Sequence, residues 1–300
     1  MILMYHNIVT DNAPSGYERT SITLTFSGFK RQINWLKKRF RIIPLSTYIE
    51  ELKSGVLNQK KTICLTFDDG TAMTFDLMYP FFQDNDIPAT IFVSTSQLEN
   101  GRWIWGSVLN AICLEDRYAA IEFEGRRFDL KAQKKSRELC RQELFLMARN
   151  SGAPTEFVIA LEKKYPVEAM YKPYYKGMTY EQLATAGTSK YIEIGAHTVN
   201  HPFLTDLSED QQHYEILESK LELEKYTQRE VRYFAYPNGD YDDMTIRLLK
   251  MAGFTGGIAV YPRKSVKDIW YELPRTGVYS NSIIKLWAKI YRESRKPMLR

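Results

Sequence analysis

Two short stretches carry residues whose types and spacing could do chemistry together. "TFDDG" sets Asp68 and Asp69 side by side after the apolar run Ile63–Phe67. "IGAHTVNHPFL" sets His197 and His201 four residues apart, again directly after an apolar run. On a helical turn two such imidazoles share a face and can ligate one divalent metal, although ordinary polar or capping histidines would serve as well. Asp-Gly is likewise a common turn. At the end of a buried strand, however, the carboxylates stand where α/β sheets and barrels build their sites. Two histidines and one carboxylate leave positions open on a metal, the pattern of a catalytic site. The second carboxylate is then free to act as a base on an attacking water.

These residues need a scaffold, and the surrounding pattern supplies one. Strand-like runs alternate with helical ones. Ile2–Tyr5, 41–45, Thr62–Phe67, Pro88–Val93, 190–196, Val231–Ala235 and Phe254–Val260 read as strands. Between them, Phe29–Phe40, 46–55, Met73–Gln83, Ser208–Tyr226 (capped by Ser208) and Met244–Ala252 read as helices. This alternation implies an α/β fold, a parallel sheet or barrel with helices outside. Residues 99–179 break the rhythm with a charged helical stretch, Leu130–Arg149, between segments rich in Trp and Tyr. They read as an inserted helical subdomain. The expected organisation is therefore a barrel from 1–98 and 180–280, the insertion 99–179, and a tail 281–300.

Bulk composition narrows the function classes. The chain has 300 residues, 44% hydrophobic and 26% charged, as in an ordinary globular protein. No run of about 18 apolar residues suggests a membrane span. The start, "MILMYHNIVTDN", does not read as a signal peptide. Three cysteines without metal-type spacing (Cys64, Cys113 and Cys140) fit a reducing compartment. The expectation is a cytoplasmic protein, at the inner face of a membrane if the tail binds lipid; an export signal upstream of this sequence would overturn it. The net charge of +5 resides wholly in the last sixteen residues. The neutral remainder argues against nucleic acid as a partner.

Taken together, the two motifs resemble the polysaccharide deacetylase family, the NodB-homology or carbohydrate esterase family 4 group. "TFDDG" is similar to its first motif, and "HTVNHPFL" to its second, H-[ST]-x-x-H-P. The resemblance covers residues 1–98 and 180–280. It implies a distorted (β/α) barrel of the NodB-homology type and metal-dependent removal of N-acetyl groups from a glycan. By position, Asp68 corresponds to the catalytic base, and Asp69, His197 and His201 to the metal ligands. Zinc is the default ion for such ligation, with other divalent ions open.

The third motif departs from the family pattern. "RYFAYPNGDYDD" has Ala235 where many members carry an arginine that holds the catalytic aspartate. The F-A-Y-P form resembles a branch that includes poly-N-acetylglucosamine deacetylases. "ELPRTGV" offers Arg275 as the substitute, against the alternative of a surface salt bridge. The Tyr236 backbone N–H would stabilise the tetrahedral oxyanion, or Tyr236 simply packs in its turn. The family's late acidic histidine is absent, since no histidine follows His213. In the same branch an N-terminal histidine takes that role, which here falls to His6 unless His6 is a satisfied structural residue.

The implied partner is an N-acetylated glycan from cell-surface polysaccharide synthesis. Two other functions remain open: a carbohydrate binder that has lost activity, and a hydrolase of O-acetyl or non-sugar amide groups. Trp103, Trp105, Tyr171, Tyr174 and Tyr175 of the insertion, with Trp270, would stack on sugar rings or else form a local aromatic core. In the tail, Ile283, Leu286, Trp287 and Ile290 face one way and basic residues the other. That is either a packed terminal helix or a helix lying on an anionic membrane. Oligomeric state is not encoded in any of these patterns.

Overall fold

The structure, a computed structural model, describes residues 1–13, 22–114, 117–130, 134–260, 262–263 and 266–295. Among these, seven parallel strands close into a barrel: β1 (Ile2–Tyr5), β2 (Thr62–Phe67), β3 (Ala89–Val93), β4 (Ile192–Ala196), β5 (Tyr233–Ala235), β6 (Gly256–Ala259) and β7 (Leu273–Gly277). Closure runs through β1, whose Ile2 pairs with Cys64 on one side and Arg275 on the other. β3 and β4 pair along their whole length, from Ala89 with Ile192 to Val93 with Ala196. Every strand is parallel to its neighbours, so all the C-terminal ends open on one face.

Strand periodicity sorts the side chains. Leu3, Tyr5, Leu65, Phe67 and Phe234 face outward into the main hydrophobic cluster, packed under Phe29 and Phe82 of the helices Phe26–Lys37 and Ala72–Asn85. Ile2, Cys64, Phe92, Ala235 and Ile258 join a second cluster with Leu45, Tyr48 and Ile49 of the helix Leu45–Lys53. β4 passes close over Phe92, and a Cβ at Gly195 would lie 2.4 Å from that ring, so only glycine fits there.

The elements largely follow the sequence pattern. β1 and β2 match their expected spans, and Ser208 caps the helix Glu209–Thr227 through a capping box. The charged stretch of the insertion forms a helix over Lys134–Asn150, starting later than expected, with 131–133 outside the described residues. Its companions are the helices Trp105–Leu114 and Pro154–Lys164 and a hairpin of Ala120–Phe123 with Arg126–Asp129. These pack around a third cluster that includes Trp105, Leu109, Leu144 and Leu161 and reaches Val9 and Phe203 of the barrel loops. No helix among the described residues is long and apolar enough to cross a membrane. Cys64, Cys113 and Cys140 are free and buried.

Candidate active site

Four of the singled-out residues occupy equivalent places. His6, Asp68, His197 and Tyr236 each directly follow the last residue of a barrel strand (β1, β2, β4 and β5). A parallel barrel therefore gathers them on one face without further design. Asp68 continues the inward parity of Cys64 and Thr66 and is anchored by its N–H to the Tyr5 carbonyl at 3.0 Å. The chain then turns sharply, with φ of 73° at both Asp69 and Gly70. A side chain at Gly70 would meet Val93 at 2.9 Å, so the motif's glycine is sterically required. That turn gives adjacent, identical side chains two directions.

Asp68 meets Arg275. Nη1 and Nη2 donate to the two carboxylate oxygens at 2.5 Å each, a bidentate pair inside the barrel. Burial alone would raise the Asp68 pKa, but Arg275, with His197 and His6, outweighs it and holds the carboxyl at about 2. Asp69 lacks such a clamp. Burial, partly offset by His197 and reinforced by Asp68, lifts its pKa to about 6. Two neighbouring carboxylates are thus driven apart in character.

Asp69 faces the histidines. Its Oδ1 lies 3.8 Å from His197 Nε2 and 3.7 Å from His201 Nε2. The three donors lie within 4.8 Å of one another, and a metal ion fits that set. Burial lowers the pKa of His197 and, further, of His201, so both offer neutral imidazoles. The tautomer at His197 is fixed from behind by the Ala235 carbonyl, 2.7 Å from Nδ1.

His6 enters the same cavity, of about 370 Å³, with Nε2 3.8 Å from Asp68 Oδ2. That distance exceeds a hydrogen bond. Its Nδ1 is buried without a hydrogen-bond partner among the described residues, and burial lowers its pKa despite Asp68. Tyr236 lines the cavity too, but its N–H is not free as expected for an oxyanion donor. It points to the Ile258 carbonyl at 3.5 Å, the outer limit of a hydrogen bond, while its hydroxyl donates to the Tyr271 carbonyl at 2.6 Å.

The expected stacking aromatics are placed elsewhere. Trp105, Tyr171 and Tyr175 are buried in the insertion's own cluster, with Trp103 and Tyr174 packed against it. Trp270 packs against the Ile2–Leu273 cluster beneath Lys53, away from the cavity. The larger cleft of about 710 Å³ beside Trp103 contains none of the site's titratable residues.

Sequence reading overlooked several supports. Glu215, buried on the helix Glu209–Thr227, accepts from the N–H groups of Val199 and Asn200 at 2.9 and 2.8 Å and from Asn200 Nδ2 at 2.7 Å. It thereby ties down the loop carrying both histidines. It stands on the helix face that also buries Gln212, Ile216 and Ser219. The Trp105 indole donates to the His201 carbonyl at 3.0 Å, and Gln97 Nε2 donates to the Asp69 carbonyl. Asn110 and Arg141 of the insertion also line the cavity.

The fold and site define a class, an α/β barrel with an Asp-His-His cluster that a metal ion fits and an arginine-clamped carboxylate beside it. The polysaccharide deacetylase family profile matches residues 56–257, and the chain belongs to that family. The chain is 26% identical over 184 residues to a poly-beta-1,6-N-acetyl-D-glucosamine N-deacetylase of Staphylococcus epidermidis, covering 59% of this chain and 62% of that protein. It thus spans less than two thirds of that relative. Solved structures of similar fold include IcaB from Ammonifex degensii, at 17% identity and a TM-score of 0.62 over 97% of this chain and 96% of that one. The Streptococcus pyogenes deacetylase PplD, in complex with acetate, matches at 20% identity and a TM-score of 0.59 over 96% of each chain.

Proposed function

We propose that the protein hydrolyses N-acetyl groups from a glycan, with poly-N-acetylglucosamine the first candidate by likeness to the Staphylococcus epidermidis relative. The observation that carries this reading is the pairing of roles at the end of β2: Asp69 turned to two neutral histidines, Asp68 held by Arg275. A divalent ion on Asp69, His197 and His201, zinc by the donor set, would acidify water and polarise the acetyl carbonyl.

The remaining steps belong to the chain's own side chains. Arg275 keeps Asp68 ionised and fixes its orientation, so its carboxylate stands ready to accept the proton of the attacking water. As the tetrahedral oxyanion forms, the Tyr236 N–H exchanges its long contact with Ile258 for the oxyanion, since such bonds tighten only in the reacting complex. His6 rests neutral. The proton that Asp68 takes from the water passes to His6, whose Nε2 lies 3.8 Å from Asp68 Oδ2, and His6 gives it to the amine as the C–N bond breaks. The products are acetate and a free glucosamine-type amine.

The test is acetate release from N-acetylglucosamine oligomers by metal-loaded protein, run beside O-acetylated and non-sugar amide substrates. Release from the N-acetylated oligomers, abolished by a chelator and restored by zinc, is expected. Release only from O-acetyl or non-sugar amide substrates would reassign the substrate, and none from any would leave a glycan binder.

A further inference from the structure

We infer that the helix Ile283–Glu293 is a docking surface for an anionic lipid bilayer, an inference that stands apart from the catalytic reading. The helix has two apolar faces. Leu286 and Ile290 are buried in the main core against the helix Phe26–Lys37. A second face presents Ile284, Trp287 and Tyr291, which are 77%, 51% and 45% exposed. They stand at i, i+3 and i+7, so they form one continuous stripe. The sequence pattern puts Trp287 on one face with Leu286 and Ile290; the structure separates them and turns Trp287 outward, stacked on Tyr291 at 5.5 Å.

Charge selects the occupant. Lys285, Arg292 and Arg295 are exposed beside this stripe, and Glu293 is the helix's one acid. Lys296 and Arg300 follow in the sequence, outside the described residues. An aromatic-aliphatic stripe between cations matches the headgroup boundary of an anionic bilayer, where Trp and Tyr favour the interface and Lys and Arg meet lipid phosphates. A second protein copy fits less well. Three side chains on one helix face fall far short of the roughly 800 Å² per partner that a stable dimer buries.

The helix is rigidly mounted on the barrel wall, starting near the cavity and ending with Glu293 beside Met1 and Lys60 at the strands' N-terminal ends. Just before the helix, the Ser280 carbonyl accepts from Gln32 Nε2 at 2.5 Å and Asn281 Oδ1 from the Thr25 N–H at 3.1 Å, while Tyr279 lines the cavity.

Sedimentation with vesicles of phosphatidylcholine alone, or of equal parts phosphatidylcholine and phosphatidylglycerol, tests the inference. The protein should pellet with the anionic vesicles and release as salt rises. Trp287→Ala with Tyr291→Ala should weaken this about tenfold or more at unchanged melting temperature, since apolar burial at the interface is lost. Ile284→Glu, at a position too exposed to affect folding, should weaken it too. Equal binding by the variants, no binding by the wild type, or concentration-dependent self-association that the variants abolish would each overturn the inference.

Discussion

Arg275 reaches across the barrel interior and grips Asp68 with two 2.5 Å hydrogen bonds, one to each carboxylate oxygen. The two side chains come from β7 and the end of β2, strands that β1 separates. With Ala235 at the third-motif position, the positive charge that orients the carboxylate comes from a different strand. Removing the guanidinium would leave a buried charge unpaired, which typically costs about 3–5 kcal/mol. Arg275→Gln should therefore lower the melting temperature markedly. Asp68 sits below its unfolded pKa, so its contribution to stability is present above about pH 4 and is lost as pH falls towards 2. In Arg275→Gln the carboxyl is no longer held down against burial, so this loss between about pH 4 and 2 should shrink or disappear, as acid titration followed by circular dichroism would show.

Asp69 has the opposite sign. Its folded pKa, about 6, lies above the unfolded value, so the metal-free protein loses stability as pH rises from about 4 to 6. Asp69→Asn should remove that cost, on the order of 2–3 kcal/mol, and so raise the melting temperature in chelator. The same substitution should abolish tight metal binding. A stabilised protein that no longer holds zinc is the expected outcome by differential scanning fluorimetry and calorimetry.

Metal affinity should itself depend on pH. Below about pH 6 a cation must displace a proton from Asp69, so the apparent affinity should fall by about tenfold per unit. The histidines, which burial moves below the ordinary imidazole range, should add to the fall in acid. Competition with a chromophoric chelator between pH 5 and 8 measures this slope.

Glu215 acts on the metal ligands from behind. Glu215→Ala frees two loop N–H groups and should weaken metal binding by roughly 10–100-fold, the usual effect of losing such a support. Glu215→Gln keeps an acceptor and should recover part of the loss. Equal affinities in wild type and Glu215→Ala would show that the loop holds its shape unaided.

His6 should separate catalysis from binding. His6→Gln should lower kcat by about 10²–10⁴-fold, the range for a lost acid, while zinc affinity stays within a few-fold. A parallel drop in metal affinity would place His6 among the ligands.

Much of this site was legible because strand ends can be read from apolar runs. The breaks after Phe67 and Ala196 located Asp68, Asp69, His197 and His201, and the parallel barrel brought them together. Arg275 was legible through the resemblance, as the substitute for the arginine missing from the third motif, and closure through β1 brings it to Asp68. Glu215 and the Trp105 indole were not legible, since their contacts depend on helix docking angles that periodicity does not encode. The aromatics of the insertion left two readings open, groove or local core, because residue type alone does not separate them; the structure shows Trp105 and Tyr175 in a local core.

The central claim is that Asp68 is the base and Asp69 the ligand, and one paired measurement on Asp68→Asn tests it. Zinc affinity and acetate release from N-acetylglucosamine oligomers would be determined on the same preparation. The account predicts a folded protein that binds zinc within a few-fold of wild type and releases acetate at least about 10²-fold more slowly. Acetate release at the wild-type rate, with zinc still bound, would contradict it.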